Sequence, residues 1–296
     1  MESWDELRTA YHVARVGTVS GAAEALGVHH ATVIRHIDAL EGELGTKLFQ
    51  RHARGYTPTE AGRDLLVVAR AADDQIEQLA SRIRAGGAGV SGDLTVTSLR
   101  VASGPVTAAL ADLQRAHPEL RVRYVTDDRL LRLEYGEAHV ALRAGARPEE
   151  PDNVVQAFGH VAIGLYAAPV YVEAHGVPGG DEDLPAHRFV SLMDDTSRAP
   201  FLRWLMERVT PDAIDFRVSE QSMIVEAVAC GAGLGFVTAW EAEARGGLVE
   251  VAAPRPEWSA PLWLVTHVDL HRSAKVQAAL EALKAAAEGW SGFEKA

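Results

Sequence analysis

The chain is poor in cysteine, in aromatic residues and in positive charge, and it has no long apolar run. Cys230 is its single cysteine, so neither an internal disulfide nor a multi-thiolate metal site is available. A lone thiol here reads as a small apolar residue in a packed interior rather than a redox centre. No stretch approaches the length needed to span a bilayer, and the acidic start, Met1-Glu-Ser-Trp-Asp-Glu, lacks a basic-then-apolar export pattern. A cytoplasmic protein without membrane association is expected. Lys and Arg number 29 against 41 Asp and Glu, a net charge of −12. That balance excludes a surface that is basic all over and leaves room for a local basic face. What the chain has is bulk. Its 296 residues are 47% hydrophobic, and a chain of this length exceeds the usual size of one domain.

The first sixty residues are organised by glycine. Trp4, Leu7, Tyr11 and Ala14 recur at helical spacing up to Gly17. Ser20 is placed to cap a short second helix ending at Gly27, a left-handed stop. A third helix runs from about His30 to Leu44, with Val33, Ile37, Leu40 and Leu44 as its inner stripe and Gly45 as its end. Two short helices joined by a glycine turn make a helix-turn-helix, whose second helix presents its N-terminal residues to base edges in a major groove. Those residues are His29, His30, Ala31, Thr32, Ile34 and Arg35, with Ser20 on the preceding helix. Arg54-Gly55 reads as a turn between two short strands, a wing whose Arg54 reaches towards a minor groove. Lys47 and Arg51 add charge nearby. Residues 1–62 carry eight carboxylates against six cations, but four of the cations lie between Arg35 and Arg54, on the expected contact face.

Thr57-Pro58-Thr59-Glu60 reads as a helix start, with Thr57 as cap, Pro58 in the first turn and Glu60 reaching back. Leu65, Ala69, Ala72, Ile76, Leu79 and Ile83 then alternate spacings of four and three, a heptad seam flanked by charge. A dimer zipped through this helix is expected, and it would present two recognition helices to a two-fold DNA site. Four glycines between Gly86 and Gly92 mark a hinge and a domain boundary.

From Asp93 onward, strand-like and helical stretches alternate, which predicts an α/β fold with largely parallel sheets and a ligand at strand carboxyl ends. Gly231-Ala-Gly-Leu-Gly235 follows a helix and precedes a strand, the reverse of a dinucleotide loop, and reads as a tight strand entry. His267 and His271 are four apart, but Leu270 and the strand-like stretch before them argue against a shared helical face. Neither a Gly-x-Ser-x-Gly elbow nor an HExxH motif occurs. No cofactor or metal is expected.

The segments Ala22-Ala-Glu-Ala-Leu-Gly-Val, Val33 through Arg51, and Thr57-Pro-Thr-Glu-Ala-Gly62 together resemble the LysR-type transcriptional regulators. Looser echoes continue in Gly92-Asp-Leu-Thr-Val, Leu142-Arg-Ala-Gly, Ala167 to Pro178 and Ala229 to Val237. The resemblance implies a winged helix-turn-helix at 1–62 and a linker helix at 58–86. It further implies a two-lobed effector domain of periplasmic-binding-protein type II fold at 92–290, with lobe I at about 92–161 and 267–290 and lobe II at about 162–266. Crossings between the lobes are expected near Ala162–Tyr166 and Leu264–His267. The implied partners are double-stranded DNA, a small-molecule effector and a second copy of the chain, with a tetramer as a further step. Ser98, Arg100, Ser103, Arg129, Arg143, Thr196 and Ser222 are the candidate cleft residues, and their hydroxyls and guanidinium groups favour an anionic metabolite. Four features depart from the family pattern. His29-His30 stands for Ser-Gln, Ile34 for Ser or Thr, His139 for Asp, and Thr238-Ala-Trp for a proline segment. A solute-binding protein would match only the C-terminal part, and an enzyme would lack any recognisable catalytic constellation.

Overall fold

The computed structural model describes residues 4–52, 55–84, 90–126, 131–134, 136–193 and 199–296, without the side chains of 71, 74, 75 and 77–84. Arg54, Arg129 and Thr196, and the side chains of Leu79 and Ile83, therefore lie outside the described residues.

Helix α1 (Trp4–Val16) buries Ala10 and Val13 in a core shared with α2 (Val19–Leu26) and α3 (His30–Leu44). The cap of α2 is Thr18, whose hydroxyl accepts from the Gly21 amide at 3.2 Å; Ser20, the expected cap, is exposed in the first turn. Gly27 and Gly45 end α2 and α3 at φ 65° and 66°, a conformation open to glycine at little cost. Val33, Ile37 and Leu40 face the core as expected, but Leu44 is 44% exposed. The chain turns away at Gly45, and Leu48 and Phe49 close that end of the core in its place. Strands β1 (Phe49–His52) and β2 (Gly55–Pro58) form the antiparallel wing, docked by the Tyr56 amide on the Gly17 carbonyl at 2.8 Å.

Helix α4 (Glu60–Arg84) starts two residues later than expected, because Thr57 and Pro58 pair with Gln50 and Phe49 in the wing. Thr59 is the cap, its hydroxyl accepting from the Gly62 amide at 3.1 Å while donating to the Lys47 carbonyl at 2.7 Å. Gly62 admits no side chain: a Cβ there would lie 2.1 Å from the Leu48 carbonyl oxygen.

The C-terminal region contains β3 (Gly92–Ser98), α5 (Ser103–Ala116), β4 (Leu120–Thr126), β5 (Val140–Ala144), β6 (Asn153–Val161), β7 (Ile163–Ala167), α6 (Pro169–His175) and β8 (Val190–Leu192). It continues with α7 (Pro200–Met206), β9 (Phe216–Val218), α8 (Ser222–Ala229), β10 (Gly235–Thr238), α9 (Ala239–Arg245) and β11 (Val249–Ala252). It closes with β12 (Pro261–His267), α10 (Val268–His271), α11 (Ala274–Ala287) and β13 (Phe293–Lys295). One lobe is built on a six-stranded sheet in the order β13-β6-β12-β5-β3-β4, and the other on β10-β7-β11 with the parallel pair β8-β9.

The sheets are mixed rather than largely parallel. β3 is parallel to β4 and β5, whereas β12 runs antiparallel to β5 and β6, and β10 and β11 run antiparallel to β7. The reason is the path of the chain: β6 carries it out of the six-stranded lobe at Ala162 and β12 brings it back, so the two must point in opposite directions. The return crossing precedes Pro261, and all of β12 belongs to the six-stranded sheet, not to the expected crossing at Leu264–His267. The Ser259 hydroxyl donates to the Val161 carbonyl at 3.0 Å, tying the two crossings together.

Candidate nucleic-acid interface and ligand cleft

Within the helix-turn-helix, Ser20, His29, His30, Ala31 and Arg35 are exposed, and Thr32 is half-buried. Arg35 has no ion pair among the described residues. His29 occupies the cap position of α3 without capping it through its side chain, so the imidazole is left to other partners. Ile34 is partly buried against the three-helix core, which makes it more a packing residue than a free base contact.

The other two described cations of the expected contact face are already engaged. Glu41 is 4% exposed on the inner face of α3. Its carboxylate accepts from the amides of Leu48 at 3.0 Å and Phe49 at 3.3 Å, from Lys47 Nζ at 2.6 Å and from Arg51 Nη2 at 3.1 Å. Burial opposes the charge of Glu41, but Lys47 and the two amides outweigh it and hold the carboxyl below its ordinary value. Arg51 also donates to Asp38 at 2.5 Å, which raises its pKa further, and its guanidinium lies 5.3 Å from the Tyr56 ring centre. A single buried carboxylate thus bolts the wing to the recognition helix. Reading the sequence for basic residues missed it; the signal was an acidic residue beside Ile37 and Leu40 on the inner face.

Between the two lobes lies a cavity of about 920 Å³. Its walls come from the ends of strands on both sides: Leu99, Val101 and Ala102 after β3, Ala144 and Ala146 at and after β5, and Val161 and Ile163 at the crossing. Phe201, Phe236 and Trp240 face them from the other lobe, and Arg203, Gln221 and Thr238 supply the polar groups. A cavity lies where a cleft is expected, but none of the described candidates, Ser98, Arg100, Ser103, Arg143 and Ser222, is among its lining residues. Ser98 and Arg143 line an adjoining cavity of about 180 Å³, which shares Leu99, Ala144 and Ala146 with the larger one. The Ser98 hydroxyl is bonded to Tyr124 at 2.5 Å, and Arg143 donates to the Leu131 carbonyl at 3.0 Å. Ser103 and Ser222 start α5 and α8 beside lining residues without lining the cavity. Arg100 does not line it either, but its Nε lies 3.4 Å from Glu220 of the other lobe, an ion pair across the cleft.

Several contacts join the lobes at the hinge. The Trp240 indole donates to the Val101 carbonyl at 2.8 Å, and the Ala162 amide donates to Gly292 at 2.7 Å. The Trp290 ring centre lies 5.7 Å from that of Phe158 and 5.8 Å from that of Trp240. Thr238 caps α9 in a reciprocal box with Glu241, whose carboxylate accepts from the Thr238 amide at 3.2 Å and hydroxyl at 2.7 Å. Burial pushes the Glu241 carboxyl up despite these bonds. This cap accounts for the Thr238-Ala-Trp departure. At the His139 departure, the buried ring accepts from the Thr95 amide at 2.9 Å and so supplies the acceptor a carboxylate would.

Cys230 is exposed, contrary to expectation, because it ends α8 beyond the buried face of Ile224, Ala227 and Val228. His267 caps α10, and His271 is bonded to Thr266 at 2.9 Å, so each imidazole has a local structural partner. Among the described residues no cluster of acidic, histidine or cysteine side chains suits a metal, and no helix is long and apolar enough to cross a membrane.

A winged helix-turn-helix joined by a long helix to two lobes around a cavity defines a class of protein that couples a DNA-contacting unit to a ligand-binding one. The profile of bacterial regulatory helix-turn-helix proteins of the lysR family matches residues 4–63, and that of the LysR substrate binding domain matches residues 87–288. The chain belongs to the LysR family of transcriptional regulators. An HTH-type transcriptional repressor of Pseudomonas aeruginosa is 27% identical, over 94% of this chain and 90% of that protein. The HTH-type transcriptional regulator DmlR of Escherichia coli is 29% identical, over 95% and 93%. In fold, the chain is similar to a full-length OxyR variant from Pseudomonas aeruginosa, with a TM-score of 0.72 at 19% identity over 99% of this chain and 97% of that one. It is similar in the same way to ArgP from Mycobacterium tuberculosis, with a TM-score of 0.71 at 21% identity over 98% and 99%.

Proposed function

We propose that two copies of the chain, joined through α4, read a two-fold DNA site with α3, and that an anionic small molecule in the interlobe cleft controls this binding. Residues 1–62 act as the DNA-contacting unit, 58–86 as the dimerisation helix and 92–290 as the sensor. The observation that carries the reading is the exposed row His29-His30-Ala31 and Arg35 at the start of α3, beside the wing and in one chain with a cavity that has an arginine in its wall. The seam on α4 divides. Leu65 packs on the DNA-contacting core and Ala69 is buried within the single chain, whereas Ile76 is 47% exposed. Dimerisation therefore uses Ile76 and the seam that follows it. Paired copies can rearrange as far as a larger assembly when the cleft changes shape, which alters the spacing of the two recognition helices.

The test is a gel shift with DNA flanking the chain's own gene, across salt concentrations. Specific retardation that weakens steeply with salt is expected, because phosphate contacts release counterions. A monomeric protein that retards no fragment refutes the reading.

A further inference from the structure

We propose that the interlobe cleft takes an apolar monoanion, one carboxylate on an aromatic or branched hydrocarbon body, in preference to a dicarboxylate or a small hydroxy acid. The proposal rests on reading this cleft as the effector site. Arg203 is the one charged side chain among the described lining residues; it is exposed and has no ion pair among the described residues. The remaining polar groups are mostly committed. The Thr238 hydroxyl donates to Glu241 and accepts from the Glu241 amide at 3.3 Å, and the Trp240 indole donates to Val101. Gln221 is left as a neutral partner. One carboxylate can therefore be matched. A second would face the apolar wall of Leu99, Val101, Ile163, Phe201 and Phe236, where a negative charge is desolvated without a partner.

The wall supplies the rest of the affinity. Leu99, Val101 and Ile163 face the Phe201 and Phe236 rings, whose centres lie 5.2 Å apart. Burying a methylene against such a surface strengthens binding about fourfold. A four-carbon diacid fills a small part of about 920 Å³ and gains little from these contacts.

The experiment is calorimetric titration of the full chain with phenylacetate, its neutral isostere phenylacetamide, and succinate, on the parent, Arg203→Met and Ala146→Trp. Expected is phenylacetate binding at least about tenfold tighter than either comparison ligand, with that preference over the amide lost in Arg203→Met. Ala146→Trp, which narrows the cavity, weakens both aromatic ligands. Succinate binding more tightly than phenylacetate overturns the ligand class and leaves the cleft as an effector site. Equal binding of acid and amide by the parent overturns the anion. Phenylacetate binding that survives both substitutions lies outside the cleft and overturns the effector reading as well. No binding by any of the three overturns the proposal.

Discussion

Glu41→Ala tests whether one buried carboxylate holds the DNA-contacting unit together. The substitution removes the acceptor for the amides of Leu48 and Phe49, both buried, and leaves Lys47 and Arg51 without their shared partner. Each buried amide left unpaired costs about 1–3 kcal/mol, the Phe49 bond at 3.3 Å being the weaker. Alanine returns up to about 0.5 kcal/mol in helix propensity, and the desolvation of a buried charge is relieved. A net loss of about 2–4 kcal/mol follows, with the two amides dominating. In a domain of this size, about 1 kcal/mol moves the melting temperature by about 4–8 °C, so the shift should reach about 10 °C or more. Glu41→Gln keeps one acceptor oxygen and should cost roughly 1 kcal/mol.

The effect has a pH signature. The folded carboxyl titrates below the ordinary value of 4.5, so its contribution is fully present above that value and is lost as pH falls through the folded pKa. The acid limb of the stability profile should therefore flatten in Glu41→Ala. Calorimetry of the full chain gives the melting shift, and hydrogen exchange reports the Leu48 and Phe49 amides directly. A variant that melts within about 2 °C of the parent with both amides still protected would refute the reasoning.

Gly62→Ala places a methyl 2.1 Å from the Leu48 carbonyl and should destabilise the junction of wing and linker by about 1–3 kcal/mol or more. DNA binding in a gel shift should fall while ligand titrations of the cleft are unchanged. Arg35→Ala should weaken DNA binding without changing the melting profile, and if Arg35 meets a phosphate, the slope of log affinity against log salt should fall by about one in fluorescence anisotropy. Trp240→Phe removes the 2.8 Å bond to Val101 and keeps most of the ring, a loss of about 0.5–1.5 kcal/mol between the lobes. Ligand affinity by calorimetry should change by up to about tenfold; an unchanged value would place that bond outside the ligand-dependent motion.

Where local chemistry decides, the sequence was a good guide. Gly27 and Gly45 end their helices in the structure, because a left-handed stop needs little beyond the residue itself. The caps were misplaced by two residues each, Ser20 for Thr18 and Thr57 for Thr59. Neighbouring hydroxyls are equally able to cap, and the choice falls to tertiary pairing: the wing claims Thr57 as the partner of Gln50. Strand direction was illegible because alternation has the same period whichever way a strand runs. The cleft between two lobes was legible only through the family resemblance, and its expected lining lay among serines and arginines. Strand ends instead present Leu99, Ala144 and Val161 to the cavity, while Ser98 and Arg143 line the smaller cavity beside it. Glu41 was hidden for the opposite reason, as a carboxylate that works by being buried.

A ligand can change the separation of the lobes only by binding one arrangement better than another. Two of the bonds between the lobes contribute only modestly to holding the described arrangement. The Arg100–Glu220 pair, one-third or more exposed and 3.4 Å apart, is screened by solvent and contributes well under about 1 kcal/mol. The Trp240–Val101 bond adds about 1 kcal/mol. A ligand that distinguishes the two arrangements by about a hundredfold supplies about 2.7 kcal/mol, more than both together. Such discrimination is within reach of a molecule that touches Leu99 to Ala102 on one lobe and Arg203 and Phe236 on the other, since opening the cleft separates those walls. The same molecule held by one lobe alone would bind open and closed forms equally and shift nothing, however tight its binding. The contacts that matter for control are therefore those made to both lobes at once.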